Sequence, residues 1–365
     1  MDLPILDLPP DATAEPSATA SVLLPALDAA LSRRRAAAPA NPLGAERIFH
    51  GFSEGYPRLV IDRYAATLVV FDITATALDR DLWSVVRAWV ADRRSELGSE
   101  AGVEIRSVLW KVRRGRSEER LGLWVQGGPD SAPRLIVEDD VRYAVDLRLQ
   151  ADASFYLDTR ELRRWLRREA NGRSVLNTFA YTGSLGVAAR AGGATRVVQL
   201  DRNPRFLAVA ARSMAANDFE VEKGALRAND FFLETARLRR EGRLFDLVVV
   251  DPPFFSQSER GGSRGQVDLQ KGLAGLLAKV RPLIAHLGRL VVVDNAVFVS
   301  GAQFLRELEG LTADGYLSLE ETIAVPAECG AGAPWVEGGP ADPSPFVHST
   351  KIAVLRARRK DLRVS

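Results

Sequence analysis

The most informative stretch of this chain is Val248-Val249-Val250-Asp251-Pro252-Pro253-Phe254-Phe255. Its three valines are apolar on both faces, which predicts a buried central strand. Asp251 ends this run, and the two prolines after it lack the N–H donors that would extend a strand. The stretch therefore places a carboxylate, two backbone carbonyls and aromatic rings at the carboxyl edge of a sheet, where open α/β folds bind ligands. Taken alone, the same residues also fit a strand followed by a plain proline turn.

The composition is that of a globular protein with more than one domain: 365 residues, 46% hydrophobic and 26% charged. No apolar run approaches the roughly 20 residues of a membrane helix, and the N-terminus has no signal-peptide pattern. Cys329 is the only cysteine. This excludes an intramolecular disulfide and a cysteine-based zinc site, and it fits a cytoplasmic location. We expect neither a metal site nor a membrane partner.

The residue pattern divides the chain into three parts: residues 1–45, 46–149 and 150–365. The first part is rich in Pro, Ala, Ser and Thr, which predicts a disordered tail followed by a helix. The second part has short β-branched runs and an amphipathic helix, which predict a small α+β domain. The third part alternates strands with helices, which predicts a doubly wound α/β sheet.

Within the second part, the stretch Lys111–Arg120 is rich in basic residues. Clustered lysine and arginine are typical of contacts with the phosphate backbone of RNA. Ser117-Glu118-Glu119 dilutes the charge, so a solvent-exposed hairpin tip is an equally good interpretation.

The third part supplies the sheet. Its predicted strands are Ser174–Asn177, Arg196–Leu200, Leu226–Ala228, Leu244–Val250 and Arg289–Val293. A helix is predicted to end at His286, and Asp158-Thr159-Arg160-Glu161 has the spacing of a capping box at a helix start. The last strand, Ile352–Leu355, is predicted to pair antiparallel with a strand near residues 317–324.

Four of these strands end in polar residues: Asn177, Asp201, Asn229-Asp230 and Asp251. The carboxyl ends of parallel strands meet at one edge, where Asp201 can accept both hydroxyls of a ribose and Asn229-Asp230 can hydrogen-bond an adenine. Gly183 gives the loop after the first strand freedom to pass close to a ligand, just before a helix N-terminus suited to a carboxylate. Each acid alone is explained more simply as a helix cap, but the four together predict a cofactor site.

These residues resemble the motifs of the bacterial 23S rRNA methyltransferases that make 5-methylcytidine or 7-methylguanosine. The matching motifs are Tyr156-Leu157-Asp158-x-Arg160, Asn177-x-Phe179-x-Tyr181-Thr182-Gly183-Ser184, Asp201, Asp230 and Asp251-Pro252-Pro253-x-Phe255-Ser256. The resemblance implies a Rossmann-like class I S-adenosylmethionine-dependent methyltransferase domain with an antiparallel last strand, and RNA as the partner. A homodimer is compatible with it. The residues that it assigns to S-adenosylmethionine are Tyr156, Asp158, Arg160, Asn177, Phe179, Tyr181, Thr182, Gly183, Ser184, Asp201, Arg202, Asn229, Asp230 and Asp251.

The methylated atom is suggested by a missing cysteine. Carbon 5 of cytosine is not nucleophilic, so the enzymes that methylate it first add a cysteine to the ring. In the family that cysteine follows the fifth strand, but the matching stretch Val293–Phe298 contains none. Asn295 resembles the guanine-N7 branch instead, and a ring nitrogen needs only to be positioned in line with the methyl group. A helix cap or loop role for Asn295 is nearly as good an interpretation.

We therefore predict an enzyme that methylates a nitrogen of rRNA guanine without a covalent intermediate. The predicted catalytic residues are Asp251, Pro252, Pro253, Phe254 and Asn295. Three alternatives stay open: a cytosine-5 enzyme using Cys329, a methyltransferase with a small-molecule or protein acceptor, and a non-catalytic RNA-binding relative. The accessory PUA and THUMP domains of the family are expected to be absent, since only about 45 residues precede the matching region.

Overall fold

The computed structural model describes residues 18–37, 41–98, 104–253, 273–296, 299–330 and 350–358. Its contacts divide the chain into two compact units. The first unit extends to Leu157 and includes Ala327–Cys329, and the second comprises Asp158–Pro326 and Gly330–Ser365. The division therefore falls somewhat later than the change of sequence pattern near residue 150. Phe254 lies outside the described residues.

The first unit contains a five-stranded sheet in the order β1-β2-β3-β4-β5 and a separate hairpin, β6-β7. Its strands are β1 (Ala45–His50), β2 (Leu59–Tyr64), β3 (Thr67–Asp72), β4 (Ser107–Val112), β5 (Leu123–Gln126), β6 (Leu135–Glu138) and β7 (Val141–Ala144). Its helices are α1 (Ala18–Ala37), α2 (Arg80–Asp92), α3 (Arg94–Leu97) and α4 (Ser117–Leu121). β2 and β3 form an antiparallel hairpin.

Helix α1 belongs to the core of the first unit, although the sequence pattern indicated a separate extension over residues 1–45. Leu23, Leu27 and Leu31 recur every four residues and are buried against the same core as Trp83 and Trp110. This spacing puts the three leucines on one face of the helix. The apolar face is short and follows a Pro/Ala-rich segment, which is why composition alone suggested an extension.

The second unit is built on a seven-stranded sheet in the order β10-β9-β8-β11-β12-β14-β13. Its strands are β8 (Ser174–Thr178), β9 (Arg196–Asp201), β10 (Leu226–Ala228), β11 (Phe245–Val250), β12 (Ile284–Asp294), β13 (Leu317–Ile323) and β14 (Lys351–Ala357). Its helices are α5 (Arg160–Glu169), α6 (Ser184–Ala191), α7 (Pro204–Ala216), α8 (Phe231–Arg240), α9 (Leu273–Val280) and α10 (Gly301–Thr312). β8 to β12 are parallel, and β14 runs antiparallel to both of its neighbours. The doubly wound sheet with an antiparallel last strand is thus confirmed.

Two local predictions in the second unit are wrong. His286 lies inside β12 and not at a helix end, because the chain enters the sheet at Ile284 and makes an irregularity before pairing resumes at Arg289. Asp158 does not cap α5, because its Oδ2 accepts the hydroxyl of Thr350 at 2.6 Å and the helix begins at Arg160. Among the described residues, no helix is both long and apolar enough to cross a membrane.

Candidate active site

The register of the parallel strands aligns their carboxyl ends. Thr178, the last residue of β8, lies opposite Leu200 in β9 and Val250 in β11. Asp201, the last residue of β9, lies opposite Ala228 in β10. The polar strand ends that the sequence singled out therefore meet along one edge of the sheet.

The loop between β8 and α6 has an unusual backbone conformation. Phe179 and Tyr181 have positive φ angles of 54° and 50°, a region that non-glycine residues rarely adopt. The backbone N–H of Tyr181 donates to Oδ2 of Asp201 at 2.8 Å, which ties the loop to the neighbouring strand. A conformation of this kind is held only when its surroundings determine it, and it is common at ligand-binding sites.

Gly183 is required by its packing within the protein. It has a φ of 78°, and an added Cβ would lie 2.4 Å from Cβ of Ala210 and 2.6 Å from Oε1 of Gln199. The neighbours that require glycine here are Ala210 of α7 and the buried Gln199 of β9, and the approach of a ligand to Gly183 stays a prediction.

Asn177 is buried in β8, near the edge of the sheet. Its Nδ2 donates to Oε1 of Gln199 at 3.3 Å. Its Oδ1 is buried without a hydrogen-bond partner among the described residues. Buried polar atoms are nearly always paired, so this oxygen is an acceptor that a bound donor can satisfy.

Asp201 is half-buried at the end of β9, and burial raises the pKa of its carboxyl. It accepts the backbone N–H groups of Tyr181 and Asn203, each at 2.8 Å. Asn203, rather than Asp201, caps helix α7. Each carboxylate oxygen has a second lone pair, so Asp201 can still accept hydrogen bonds from hydroxyl groups.

The residues after β10 have protein partners of their own. Asp230 caps α8 by accepting the backbone N–H groups of Phe232 and Leu233. Asn229 donates to Oε2 of Glu234 at 2.8 Å. The capping role that the sequence allowed for Asp230 is therefore present.

Aromatic rings line the β8-β9-β10 side of the edge. Phe179 stacks on Phe231 with ring centroids 4.7 Å apart, and Tyr181 meets Phe206 edge-to-face at the same separation. Neither Phe231 nor Phe206 was identified from the sequence. The only local indication was that Phe231 directly follows Asp230.

The most strongly perturbed carboxyl is that of Asp251, at the end of β11. Burial, together with the negative charge of Asp158, raises the pKa of Asp251 to about 7. Asp251 is half-buried, Pro252 is buried and Pro253 is exposed. Within the described ranges, neither Asp158 nor Asp251 has an ion-pair partner. Two adjacent carboxyls without a counter-ion suit a positively charged ligand.

The segment that follows β12 also belongs to the candidate site. Asn295 is exposed, and Asp294 beside it accepts the backbone N–H of Ala296 at 2.7 Å. Lys351 is fully buried and donates from Nζ to the carbonyls of Ala296 and Val299, at 2.6 and 2.8 Å. The sequence reasoning missed Lys351, and the available indication was a charged residue directly before the apolar run Ile352–Leu355.

The remaining predicted site residues lie in loops and at helix starts. Tyr156 belongs to the first unit, where its hydroxyl donates to Oδ2 of Asp152 at 2.9 Å. The other four are in the second unit, next to residues already described: Arg160, Thr182, Ser184 and Arg202. Thr182 is buried, Arg160 and Ser184 are half-buried, and Arg202 is exposed.

The basic stretch Lys111–Arg120 does not act as a single charged surface. Lys111 is fully buried in β4, and its Nζ donates to the carbonyls of Leu121 and Gln150, both at 2.8 Å. Burial lowers the pKa of Lys111 to about 7. The prediction of an RNA contact is thus wrong for Lys111. The exposed cations of the stretch are Arg114, Arg116 and Arg120.

Cys329 is only 4% exposed. It lies in a short 3₁₀ helix that contacts β1 in the first unit. A nucleophilic thiol must be accessible to its substrate, so this burial argues against Cys329 as a nucleophile.

Comparison with known proteins supports one family. The sequence model of a family described as S-adenosylmethionine-dependent methyltransferase matches residues 47–329. Among curated relatives, ribosomal RNA large subunit methyltransferase I of Erwinia tasmaniensis is 32% identical over 67% of this chain, and that of Shewanella amazonensis is 31% identical over 72%. The matched regions span 60% and 68% of those proteins, and 58% of the Aeromonas salmonicida protein of the same name.

Solved structures share the fold. A structure described as a S-adenosylmethionine-dependent methyltransferase from Streptococcus mutans has a TM-score of 0.74 and 19% identity, and covers 94% of this chain and 83% of that chain. A methyltransferase structure in complex with S-adenosylhomocysteine has a TM-score of 0.75, with the same identity and coverage. At this identity the similarity concerns the fold alone.

Proposed function

This chain belongs to the S-adenosylmethionine-dependent methyltransferase family, and from that premise we propose that it methylates a nitrogen of a guanine base in large-subunit ribosomal RNA. The observation that carries the proposal is the carboxyl of Asp251, which is perturbed and has no ion-pair partner among the described residues at the edge where the polar strand ends meet. The curated relatives, which are named for large-subunit rRNA, support the substrate class.

The residues at the edge fit the cofactor. S-adenosylmethionine supplies a methyl group on a positively charged sulfonium. Asp201 retains lone pairs for ribose hydroxyls, and the stacked rings of Phe179 and Phe231 offer an apolar wall for a purine. Asp158 and Asp251 would be stabilised by the cationic groups of the ligand. Asn177 Oδ1 adds a buried acceptor.

The acceptor chemistry follows from two residues. The Asp251 carboxylate and the carbonyl of Pro252 can accept hydrogen bonds from an amino group of the base and so orient it. Ring nitrogen N7 carries a lone pair and releases no proton on methylation, so positioning is sufficient there. An exocyclic amine must release a proton, and a carboxylate whose pKa is about 7 can accept it. Asp251 can therefore act in methylation of either nitrogen. Asn295, on the neighbouring segment, offers its amide to the same base.

Contact with the RNA is assigned to the first unit. The side chains of Arg114, Arg116 and Arg120 are exposed around helix α4, and guanidinium groups bind phosphate in a bidentate manner. Contacts of this kind bind the RNA backbone and do not distinguish one base sequence from another.

The test is methylation of large-subunit rRNA from a strain that lacks the gene, with the methyl group of the cofactor isotopically labelled. Mass spectrometry of the nucleosides should show one methylated guanine, at N7 or at the amino group. Asp251→Ala should abolish the product. Asp246→Asn, at the other end of β11, is the matched control and should keep activity at a temperature where it is folded.

Two outcomes would contradict the proposal. A labelled 5-methylcytidine that disappears in Cys329→Ser would mean that the buried thiol is the nucleophile. No labelled RNA, while calorimetry shows that the cofactor binds, would leave the family assignment intact and exclude rRNA as the acceptor.

A further inference from the structure

Lys351 uses its ammonium group to hold one short segment. It is the first residue of β14 and lies opposite Asp294, the last residue of β12. Its Nζ donates to the carbonyls of Ala296 and Val299 at 2.6 and 2.8 Å, and lies 3.8 Å from Oδ1 of Asp294. Two of the three ammonium donors therefore bind carbonyls of this segment, and the Asp294 carboxylate lies within ion-pair distance.

Placing a lysine here has a cost. The side chain is fully buried, and burial lowers the pKa of Lys351 to about 8 although Asp294 and Glu307 oppose the shift. Replacing a buried charge with a well-packed apolar group is often neutral or stabilising for a fold. The next residues of β14, Ile352 and Ala353, are apolar and fully buried, so packing in this part of the sheet does not call for a charged residue. What the lysine adds is therefore the two hydrogen bonds to the segment.

Those bonds fix the backbone next to Asn295. The peptide groups of Ala296 are held on both sides, since its N–H donates to Asp294 at 2.7 Å and its carbonyl accepts from Lys351. The N–H of Val299 also donates to the carbonyl of Ala296, at 3.1 Å. The side chain of Asn295 itself is exposed and makes no hydrogen bond within the described residues. A rigid backbone thus carries an amide that is available to a ligand.

We propose that Lys351 is a positioning residue for methyl transfer: it fixes the backbone at Asp294, Ala296 and Val299 so that the Asn295 amide is held at the edge of the sheet for the acceptor base. The inference rests on the proposed function. The preceding residue supports it, because Thr350 donates to Asp158 at 2.6 Å. Two successive residues, Thr350 just before β14 and Lys351 at its start, therefore hold two segments of the candidate site, those of Asp158 and of Asn295.

A first experiment needs neither cofactor nor RNA. Lys351→Met keeps the length of the side chain and removes its donors. Hydrogen exchange of the full chain should become about tenfold faster for the amides of residues 294–300, while the other strands keep their protection. Lys111→Met is the matched control, because Lys111 is also fully buried and also donates to two carbonyls, but in the first unit. It should leave exchange at residues 294–300 unchanged.

Two exchange results would overturn the proposal. Unchanged exchange at residues 294–300 in Lys351→Met would show that the segment is held by other contacts. Equally faster exchange throughout β12 and β14 would show a role in sheet stability only.

A kinetic cycle tests the connection to Asn295. Lys351→Met should lower kcat by about tenfold to a hundredfold with KM for S-adenosylmethionine unchanged, since misplacing a group by about 1 Å has effects of this size. The double variant with Asn295→Ala should be no slower than Asn295→Ala alone, and Lys351→Arg should restore part of the rate. Multiplicative losses in the double variant would overturn the proposal. This comparison of single and double variants can be made with whichever acceptor the enzyme methylates. A failure of the rRNA assignment would appear in the methylation experiment described above and would leave this test intact.

Discussion

Asp246 lies at the start of strand β11 and Asp251 directly follows its end, but their carboxylates have different surroundings. Asp246 accepts the backbone N–H and the hydroxyl of Ser174, at 2.8 and 2.7 Å. Asp251 has no such donors in the described ranges, and burial near Asp158 raises its pKa to about 7. One carboxylate therefore stabilises the fold, whereas the other is maintained at a cost to stability.

This difference predicts opposite effects of two asparagine substitutions. In the unfolded chain Asp251 ionises near pH 4. Between that value and about 7 the folded state binds more protons than the unfolded state, so the stability due to this group falls as pH rises through the window. Asp251→Asn removes that loss, so thermal melts without cofactor should show a melting temperature a few degrees higher at pH 8 and a smaller increase at pH 5, because most of the window lies above pH 5.

The matched control is Asp246→Asn. It removes a charged acceptor that two donors use, and should lower the free energy of unfolding at both pH values, by about 1–3 kcal/mol. If Asp251→Asn were also destabilising at pH 8, the Asp251 carboxylate would have to be stabilised by a donor in the folded protein, and the pKa assignment would be wrong.

The ionisation of Asp251 should also govern the rate. kcat/KM for S-adenosylmethionine reports the free enzyme, so it should rise with pH through a midpoint near 7 as the carboxylate forms. In the complex, the positive charge of the cofactor lowers the pKa of Asp251, so kcat should reach its plateau at lower pH. A kcat/KM that stays flat between pH 5.5 and 8.5 would mean that the Asp251 charge is not needed for binding or transfer.

Among the secondary-structure elements, helix α6 packs closely against strand β9 near the site. An added Cβ on Gly186 would lie 2.5 Å from both Cδ and Oε1 of Gln199. Gln199 is fully buried and its Oε1 accepts from Asn177, so it cannot move without disturbing that amide. Gly186→Ala should therefore lower the melting temperature and weaken cofactor binding about tenfold or more, as measured by calorimetry.

Gly310→Ala is the control for this substitution. Gly310 lies in α10, and a Cβ there would meet no atom within 4 Å. Alanine in an open helical position should stabilise by about 0.5–1 kcal/mol because it restricts the unfolded chain. If the two alanine variants had the same stability, the α6–β9 contact would be looser than the structure indicates.

The strand ends could be predicted from sequence because each one is encoded locally. A mainly apolar run ending at Asp201 or Asp251 indicates a buried strand and the edge where it ends, and both ends lie where they were expected. Contacts between distant segments could not be predicted. Asp158 was interpreted as a helix cap because its partner Thr350 is remote in sequence, and Lys351 was missed because its role depends on the register of β14 against β12.

Sequence also could not show which of the charged side chains are exposed. The sequence has a formal net charge of only +2, so a contact with RNA has to come from local clusters. Sequence alone could not separate Lys111, which is buried, from Arg116, which is 88% exposed. Burial reduces the basic stretch to three exposed arginines, on which the proposed RNA contact depends.

Replacing those three arginines, Arg114, Arg116 and Arg120, with glutamine should weaken binding to rRNA and reduce its salt dependence. Each lost phosphate contact lowers the slope of log affinity against log salt by about 1, so a reduction of about 2 to 3 is expected. The control replaces three exposed arginines of α8 (Arg237, Arg239 and Arg240) and changes the net charge equally. Filter binding between about 50 and 200 mM salt separates the cases. Equal slopes for both variants would show that net charge is responsible, whereas a loss confined to the α8 variant would move the RNA contact to the second unit.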